Sequence, residues 1–307
     1  MPETTAPTHF SPTHFSDYLV EKILEKRSTV CVGLDPRWDS LPQSIRTSVD
    51  ASNLQAVAQA TGFYCKMVID AVAAFAPVVK PQAAFFEQLG HYGMSMLSEV
   101  VAYARQAGLV VLLDGKRGDI GSTALAYAEA YLGQSSPWGC DALTVNPFLG
   151  TDTLQPFLSI ARERGAGIFV LVKTSNPGSG FLQDQFIEQT KVYERIGKFV
   201  QESSAACPGR WGYGDCGAVV GATYPEQLRE LRALMPNSWI LIPGYGAQGG
   251  SAQDVLPGYD RNGMGAIVNS SRGIIFAYQQ KEFSQLDWQE AVARAAEEMR
   301  DQLPRPD

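Results

Sequence analysis

Cysteine and histidine are scarce in this sequence, with five and three residues among 307. The number of cysteines is odd and no two of them stand in a C-x-x-C spacing, so the pattern indicates neither a disulfide framework nor a thiolate zinc site. The histidines are too scattered to indicate a histidine metal cluster. Reduced cysteines in a cytosolic protein are the simpler interpretation, and we expect no metal centre.

Long apolar runs and an excess of positive charge are also missing. No apolar run approaches the roughly 20 residues that a bilayer-spanning helix needs, and the start, MPETTAPTHFSPTHFSD, lacks the basic and apolar regions of a secretory signal. The net charge of -7 argues against a nucleic-acid partner, although a few local cations can still bind a small anionic substrate. We predict a cytoplasmic protein with no membrane partner, made of a flexible tail over 1–16 and a single domain over 17–307.

Short apolar runs rich in Val, Ile and Leu recur along the chain, and longer amphipathic stretches separate them. Runs that are apolar throughout, rather than alternating, are typical of strands buried on both faces of a parallel sheet. We predict strands over 29–35, 77–82, 109–116, 141–147, 167–175, 217–223, 239–244 and 265–271. We predict helices over 51–74, 85–107, 122–133, 151–164, 185–205, 225–235 and 284–302.

The alternation of strands and helices predicts an α/β fold, and eight strands are the number that closes a (β/α)8 or TIM barrel. A doubly wound open sheet is the alternative architecture. The barrel also explains why polar residues such as Asp35, Lys80 and Arg272 follow almost every predicted strand, because these strand ends converge on one mouth. We therefore predict a single-domain TIM barrel with its active site at that mouth.

The most informative segment is LLDGKRGDIGSTA, residues 112–124. Asp114 and Lys116 lie two residues apart on an extended strand end, so we expect both side chains on the same side. Two glycines permit a sharp exit from the strand. Asp119 follows one turn later, and Lys80 ends the neighbouring strand. The result is an alternating Lys–Asp–Lys–Asp cluster in the predicted mouth.

An ordinary ion-pair network is the alternative interpretation of these four charges, and for any single Asp–Lys pair it is the better one. A network of four is harder to attribute to stability, because desolvating the charges is costly and apolar packing would stabilise the fold more. A catalytic interpretation accounts for it. A carboxylate placed against an anionic substrate group favours loss of that group as CO2, and a lysine kept charged by two aspartates can stabilise the resulting carbanion and protonate it. No metal or organic cofactor is required.

The spacing of this cluster resembles the signature of the orotidine 5′-phosphate decarboxylase family, and the string DGKRGDIGSTA is similar to its larger bacterial branch. The likeness runs from VGLDP at 32–36 to NSSRG at 269–273, most of the chain. It implies a homodimeric barrel that converts orotidine 5′-phosphate to uridine 5′-phosphate and CO2, the last step of UMP biosynthesis, without metal or cofactor. The signature residues are Asp114, Lys116, Asp119, Ile120 and Thr123.

The resemblance also implies a role for each residue of the cluster. Lys116 would donate a proton to C6 of the pyrimidine, and Asp114 would press against the substrate carboxylate. Lys80 would bind the ribose side and fix Asp114. Asp119 would complete the network, and in this family it comes from the partner subunit, as does the residue that matches Thr123.

A glycine-rich loop, PGYGAQGGS at 243–251, follows the seventh predicted strand, and Arg272 follows the eighth. Such a loop alone is more often an ordinary turn. However, barrels often bind phosphate between the loops after these two strands, and an arginine can hold a phosphate through two parallel hydrogen bonds. We predict phosphate binding by Gly249 in this loop. The resemblance adds Gln248 and Arg272 at the phosphate and Asp35 at the ribose.

The segment KTSNPGSG, residues 173–180, follows the fifth predicted strand and resembles the family's pyrimidine-contacting segment. Thr174 and Ser175 would then offer hydroxyl groups to the edge of the base. A loop that merely caps the strand is an equally good interpretation.

Three other functions fit parts of the sequence. A sugar-phosphate decarboxylase or aldol synthase on the same scaffold resembles the D-x-K-x-x-D motif but uses magnesium, and the D-I-x-x-T extension and the TSNPG segment favour the pyrimidine enzyme over it. A Schiff-base aldolase would need a neutral Lys80 or Lys173, and Asp114 beside Lys80 argues against that. A nucleotide-binding barrel without catalysis would not need all four charges.

Overall fold

The computed structural model of the protein describes residues 14–246 and 249–306. Within these ranges eight parallel strands pair in chain order and close into one barrel, which confirms the predicted (β/α)8 fold. The strands are β1 (Val30–Leu34), β2 (Val78–Pro81), β3 (Val110–Arg117), β4 (Ala142–Val145), β5 (Gly167–Lys173), β6 (Cys216–Val220), β7 (Ile240–Pro243) and β8 (Ala266–Ser270).

Helices follow the strands and cover the outside of the barrel. None of those in the described ranges is both long and apolar enough to cross a bilayer. A short hairpin, Phe186–Ile187 with Thr190–Lys191, follows β5. The helices are α1 (Phe15–Lys26), α2 (Gln43–Arg46), α3 (Leu54–Val72), α4 (Ala83–Glu87), α5 (Gly90–Gln106), α6 (Gly121–Leu132), α7 (Gln155–Arg164), α8 (Val192–Ala205), α9 (Pro225–Leu234), α10 (Ala252–Val255), α11 (Arg272–Ile275) and α12 (Trp288–Gln302).

The strands read as continuous apolar runs because both of their faces are buried. Side chains alternate along a strand, so in β3 Val110 and Leu112 fill the barrel interior. Val111 and Leu113 point the other way and pack in the layer between the sheet and the helices. All four residues are at most 1% exposed.

Helix α1 closes the amino-terminal end of the barrel, and the sequence analysis did not predict it. The Phe15 ring joins the interior cluster and packs edge-on against Phe169, with ring centroids 6.0 Å apart. Trp239, at the base of β7, donates a hydrogen bond of 2.8 Å to Ser16. The His14 ring accepts the Ser16 N–H and caps the helix. The apolar face of α1 therefore serves as the floor of the barrel.

The predicted tail over residues 1–16 lies mostly outside the described residues, so a flexible tail stays a prediction. Residues 14–16 are described, and α1 begins two residues before the predicted domain boundary at residue 17.

Two predicted helices differ from the observed ones. The stretch 85–107 divides into α4 and α5 just before Gly90, which has a φ of 61° that glycine adopts readily. The stretch 185–205 begins with the hairpin, and α8 starts only after Lys191. The Glu194 side chain accepts the Lys191 N–H at 2.7 Å, which caps the helix at that point.

Candidate active site

The barrel interior changes from apolar to polar at the carboxyl ends of the strands. In four strands a polar residue stands two positions after an interior apolar residue and therefore faces inward too. These polar side chains line a cavity of about 420 Å³ at the mouth. The barrel topology thus brings together four residues that are far apart in the sequence: Lys80, Asp114, Thr144 and Asn269.

A second depression, a groove of about 540 Å³, lies on the outer surface between the chain after β1 and α12. Apolar side chains such as Ile45, Phe63 and Trp288 line it, and no ionisable side chain is among its described lining residues. The mouth cavity is where the candidate acid–base chemistry is concentrated, so we place the active site there.

Asp114 is the centre of the polar network in the cavity. The residue is 7% exposed, and its two carboxylate oxygens accept four hydrogen bonds. Oδ2 accepts from Lys80 Nζ at 2.6 Å and from Gln82 Nε2 at 2.9 Å. Oδ1 accepts from Lys116 Nζ at 2.5 Å and from Thr144 Oγ1 at 3.0 Å. The carboxylate is therefore fixed in position on both sides.

The charges in this network support one another. Burial acts to raise the pKa of Asp114, but the positive charges of Lys80 and Lys116 and their hydrogen bonds outweigh it and hold that pKa well below its usual range. Burial acts to lower the pKa of Lys80, but the charges of Asp114 and Asp35 outweigh it and raise that pKa. Asp114 and Lys80 are therefore both ionised at neutral pH.

Lys116 reaches Asp114 by a route that the sequence analysis did not anticipate. The two side chains meet, as predicted, but Lys116 is not extended, since its φ of 46° lies in the left-handed region. The register of β3 on β4 also shifts between Leu113 and Arg117. The Lys116 side chain is 46% exposed, whereas that of Lys80 is 5% exposed. Lys116 thus presents its ammonium group at the open side of the cavity.

Asp35, just after β1, lines another part of the cavity wall. Its Oδ1 atom is buried and has no hydrogen-bond partner among the described residues. Asp35 therefore offers an acceptor that a bound hydroxyl group could satisfy.

Cys31 lies on β1 below Asp35. Burial raises the pKa of the Cys31 thiol to about 12, and the thiol donates a hydrogen bond to Asn269 Oδ1 at 3.7 Å.

Asp119 and Thr123 do not line the cavity of their own chain. Thr123 is exposed, and Asp119 Oδ1 accepts the N–H of Ile120 at 2.8 Å. The turn before them depends on Gly118, where an added Cβ would lie 2.9 Å from the Asn146 carbonyl oxygen. The structure therefore places these two predicted residues at the rim, beyond this turn.

The rim next to Asp119 is unusually apolar. Four large apolar side chains on the segments that follow β3 and β4 are 40–73% exposed. Large exposed apolar patches on soluble proteins often mark interaction sites, so this rim is a candidate interface. The four residues are Ile120, Leu125, Phe148 and Leu149.

The predicted phosphate ligands follow two neighbouring strands, because β7 pairs directly with β8. Arg272 is the first residue of α11 and is exposed. In the β7 loop Gly244, Gly246 and Gly249 have φ angles of 100°, 69° and 91°, which a side chain would disfavour. Neither Gly249 nor Arg272 lines the cavity at the mouth. The predicted ligand Gln248 lies outside the described residues.

Thr174 and Ser175 line the cavity at the mouth, and their contact with a pyrimidine base stays a prediction. The Thr174 hydroxyl donates to Asn176 Oδ1 at 2.7 Å and accepts from Gln183 Nε2 at 2.8 Å. The Ser175 carbonyl accepts from Thr223 Oγ1 at 3.2 Å. The loop after β5 is therefore held on one wall of the cavity by its own side chains and by Thr223, which follows β6.

A buried lysine anchors this loop. Lys173 is 1% exposed, and its ammonium group donates to Asp184 at 2.7 Å and to Ser179 at 3.2 Å. It also lies 4.5 Å from the centre of the Tyr224 ring, close enough for a cation–π interaction. Lys173 is thus engaged in holding the loop, which argues against a nucleophilic role.

Among the residues that line the cavity but were not predicted from the sequence are three polar ones at strand ends: Gln82, Thr144 and Asn269. Each stands at a strand end and faces inward, so the alternation of the strand could have indicated them. Neutral side chains at strand ends are common, however, and gave no reason to single these out.

The structure also brings together a histidine, a cysteine and a carboxylate that the sequence keeps apart. His14, Cys207 and Asp215 place their ligand atoms within 4.8 Å of one another near the barrel floor. Asp215 is held by the Arg162 guanidinium at 2.7 and 3.1 Å, and His14 caps α1. These side chains therefore have structural roles at the amino-terminal end of the barrel, away from the mouth.

Known proteins are similar to this chain over most of its length. A family model described as "Orotidine 5′-phosphate decarboxylase / HUMPS family" matches residues 28–285. A protein of Rhodopirellula baltica named orotidine 5′-phosphate decarboxylase is 54% identical over 297 residues, which cover 94% of this chain and 98% of that protein. A protein of the same name from Deinococcus radiodurans is 44% identical over 270 residues, covering 87% and 90%.

Solved structures show the same likeness. The OMP decarboxylase of Leishmania donovani has a TM-score of 0.73 and 35% identity, covering 94% of this chain and 96% of its own. A putative orotidine 5′-phosphate decarboxylase from Streptomyces avermitilis has a TM-score of 0.78 and 33% identity, covering 97% and 98%. The similarity therefore extends over nearly the whole chain.

Asp114→Asn should lower the free energy of unfolding by about 3–5 kcal/mol at pH 7, because it removes the buried counter-ion of two lysines. The pKa of Asp114 is lower in the fold than the value of about 4 in an unfolded chain. Its ionisation therefore stabilises the fold fully above about pH 4, and this stabilisation is lost as the pH falls further. In urea unfolding, the difference between wild type and variant should be constant from about pH 5 to 8 and shrink below about pH 4.

Asp152→Asn is the matched control, since Asp152 is an exposed carboxylate on the segment that follows β4. It should change the unfolding free energy by less than about 0.5 kcal/mol throughout. A difference for Asp114→Asn that is absent at pH 7, or unchanged at pH 3, would show that the lysines do not hold Asp114 ionised.

Proposed function

We infer that this chain, which belongs to the orotidine 5′-phosphate decarboxylase / HUMPS family, decarboxylates orotidine 5′-phosphate to uridine 5′-phosphate and CO2. The reaction is the last step of de novo pyrimidine nucleotide synthesis. The observation that carries this function is Asp114, held between Lys80 and Lys116 in the mouth of the barrel. Relatives of 54% and 44% identity that bear this name support it.

We propose that Asp114 and Lys116 perform the chemistry. Four donors prevent Asp114 from turning away, so a substrate carboxylate beside it is raised in free energy. Breaking the bond between C6 and that carboxylate releases neutral CO2 and leaves the electron pair on C6. The ammonium group of Lys116 stabilises this charge and transfers a proton to C6. Lys116 then regains a proton from water.

We propose that Lys80 and Asp35 serve the ribose side of the substrate. Lys80 is charged and hydrogen bonded to Asp114, so it fixes the carboxylate and cannot act as the neutral nucleophile of a Schiff-base aldolase. Asp35 has a buried oxygen without a partner among the described residues. A ribose hydroxyl would satisfy that oxygen, whose burial would otherwise cost free energy.

We propose that the phosphate binds at the ends of β7 and β8 and the base at the end of β5. Arg272 and the amides around Gln248 and Gly249 would hold the phosphate, because an arginine and glycine-rich backbone complement an anion. Thr174 and Ser175 line the cavity and would contact the pyrimidine. The phosphate then binds remotely, and its binding energy helps to place C6 beside Lys116.

We also propose a homodimer whose two active sites are shared. Asp119 and Thr123 lie at the rim and outside their own cavity, and the apolar side chains of Ile120 and Phe148 next to them are exposed. A two-fold interface would bury this rim and direct Asp119 into the site of the partner. Each site would then combine the Lys80–Asp114–Lys116 network of one chain with Asp119 of the other.

A magnesium-dependent sugar-phosphate decarboxylase or aldol synthase is the second candidate. Both oxygens of Asp114 are occupied, and two of their four donors are cationic ammonium groups that repel a divalent ion. This arrangement favours the reaction without metal or cofactor. A nucleotide-binding barrel without catalysis would not need the buried charge network. We further propose that the enzyme acts in the cytoplasm.

The purified protein should convert orotidine 5′-phosphate to uridine 5′-phosphate at the same rate with excess EDTA and with added magnesium, because ammonium groups rather than a metal stabilise the developing charge. The conversion is followed by ultraviolet absorbance and by chromatography of the product. Expression in a host that lacks its own decarboxylase excludes a contaminating enzyme. Loss of conversion on chelation, with recovery on adding magnesium, would instead support the second candidate.

Mixing two inactive variants, Lys116→Ala and Asp119→Ala, should restore activity when their subunits exchange. Random exchange makes about half of the dimers mixed, and one of the two sites in each mixed dimer has both residues intact. The specific activity per site should therefore approach about one quarter of wild type. The assay is repeated after the two variants have been denatured together and refolded, so that mixed dimers form.

The control mixture combines Lys116→Ala with Lys80→Ala. Both of these residues serve the site of their own chain, so every site in a mixed dimer lacks one of them and the mixture should stay inactive. If the Lys116→Ala and Asp119→Ala mixture also stays inactive although mixed dimers form, Asp119 does not act across the interface.

A further inference from the structure

The segment of β3 that carries the reacting residues is bulged rather than regular. Opposite β4, Leu113 pairs with Leu143 and Arg117 pairs with Val145. The three residues from Asp114 to Lys116 therefore face a single residue of β4, which is Thr144. Bulges of this kind re-aim side chains and are frequent next to active sites.

Thr144 bonds to both ends of this bulge. It is 1% exposed, and its Oγ1 accepts the backbone N–H of Lys116 at 2.9 Å. The same hydroxyl donates its hydrogen to Asp114 Oδ1 at 3.0 Å. Lys116 Nζ also donates to that Oδ1, at 2.5 Å. Asp114, Lys116 and Thr144 thus form a closed ring of hydrogen bonds, in which only the threonine comes from another strand.

The backbone of Lys116 needs such a partner. A lysine with a φ of 46° adopts a conformation that side chains with a Cβ disfavour, so it persists only where neighbouring groups hold it. The hydroxyl is placed to do this, because it supplies an acceptor to the Lys116 amide and a donor to Asp114 at the same time. A hydroxyl can both donate and accept a hydrogen bond, whereas an aliphatic side chain of the same shape can do neither.

We propose that Thr144 is a positioning residue for the decarboxylation: its hydroxyl holds the β3 bulge so that the Lys116 ammonium group and the Asp114 carboxylate face the same substrate carbon. This inference rests on the proposed function, in which those two groups perform the chemistry. Thr144 acts through them. Small displacements of catalytic groups can cost about 100-fold in rate. Binding of the phosphate and the base depends on other strands, so it should change little.

Thr144→Val tests this directly, because valine keeps the shape and removes the hydroxyl. We expect the single-turnover rate with orotidine 5′-phosphate to fall about 10- to 100-fold, in line with the loss of two buried hydrogen bonds within the charged network. The dissociation constant of uridine 5′-phosphate should change by less than about threefold, since its contacts lie elsewhere. Thr144→Ser restores a hydroxyl and should return the rate to within about threefold of wild type.

Thr29→Val is the matched control. Thr29 is also a fully buried threonine, and its hydroxyl bonds to the Tyr259 hydroxyl at 2.7 Å, but it lies just before β1, at the opposite end of the barrel from the mouth. It should lower the melting temperature about as much as Thr144→Val while leaving the single-turnover rate unchanged. A role of Thr144 in stability alone would make the two variants behave alike.

Several outcomes would overturn the proposal. These are a Thr144→Val enzyme with the wild-type rate, a Thr144→Ser enzyme as slow as the valine variant, and a loss of product affinity as large as the loss of rate. If the valine variant does not fold, Thr144→Ala carries the same test, because it also lacks the hydroxyl. An inactive wild-type protein would instead contradict the proposed function, so the two failures are distinguishable.

Discussion

A carboxylate kept ionised out of water is the constraint on which the active site depends. Asp114 is 7% exposed, and an isolated charge buried to that extent would be neutralised or excluded. Lys80 and Lys116 make its ionisation favourable, and Gln82 and Thr144 complete its hydrogen bonds. The same contacts prevent the carboxylate from retreating when an anionic substrate arrives. Folding free energy thus maintains the repulsion that we propose drives the loss of CO2.

The barrel supplies what this constraint requires. Inward-facing positions are apolar along the lower part of the barrel, and in four strands the inward-facing position nearest the mouth is polar. The charged network therefore rests on a packed interior that helix α1 closes from below. The groups that we propose to bind the phosphate and the base sit on the loops after β5, β7 and β8, where their spacing can vary without disturbing that network. Strands fix the reacting groups, and loops fix the two ends of the substrate.

Much of this organisation could be predicted from the sequence, because eight continuous apolar runs and the polar residues after them are local signals. Lys80, Asp114 and Lys116 were found in this way. Helix α1 was missed, since its amphipathic pattern directly follows a polar tail and its apolar face packs against the barrel interior. Thr144 and Gln82 carry no charge, and their importance appears only with the register between strands. The bulge at Lys116 is likewise a property of two strands together. Asp119 lies at the rim, and the role that we propose for it in the site of the partner depends on a second chain.

The most direct test of the account is the effect of Lys116→Ala on turnover and on ligand binding. Lys66→Ala is the control, because Lys66 is a partly exposed lysine that is ion-paired to Glu99 on the outer helices. The account predicts that kcat falls by more than about 1,000-fold, since both proton donation and stabilisation of the carbanion are lost. Affinity for uridine 5′-phosphate should fall far less, and the Lys66 variant should keep wild-type activity. A Lys116→Ala enzyme that retains more than about a tenth of wild-type kcat would contradict the assignment of Lys116 as the proton donor.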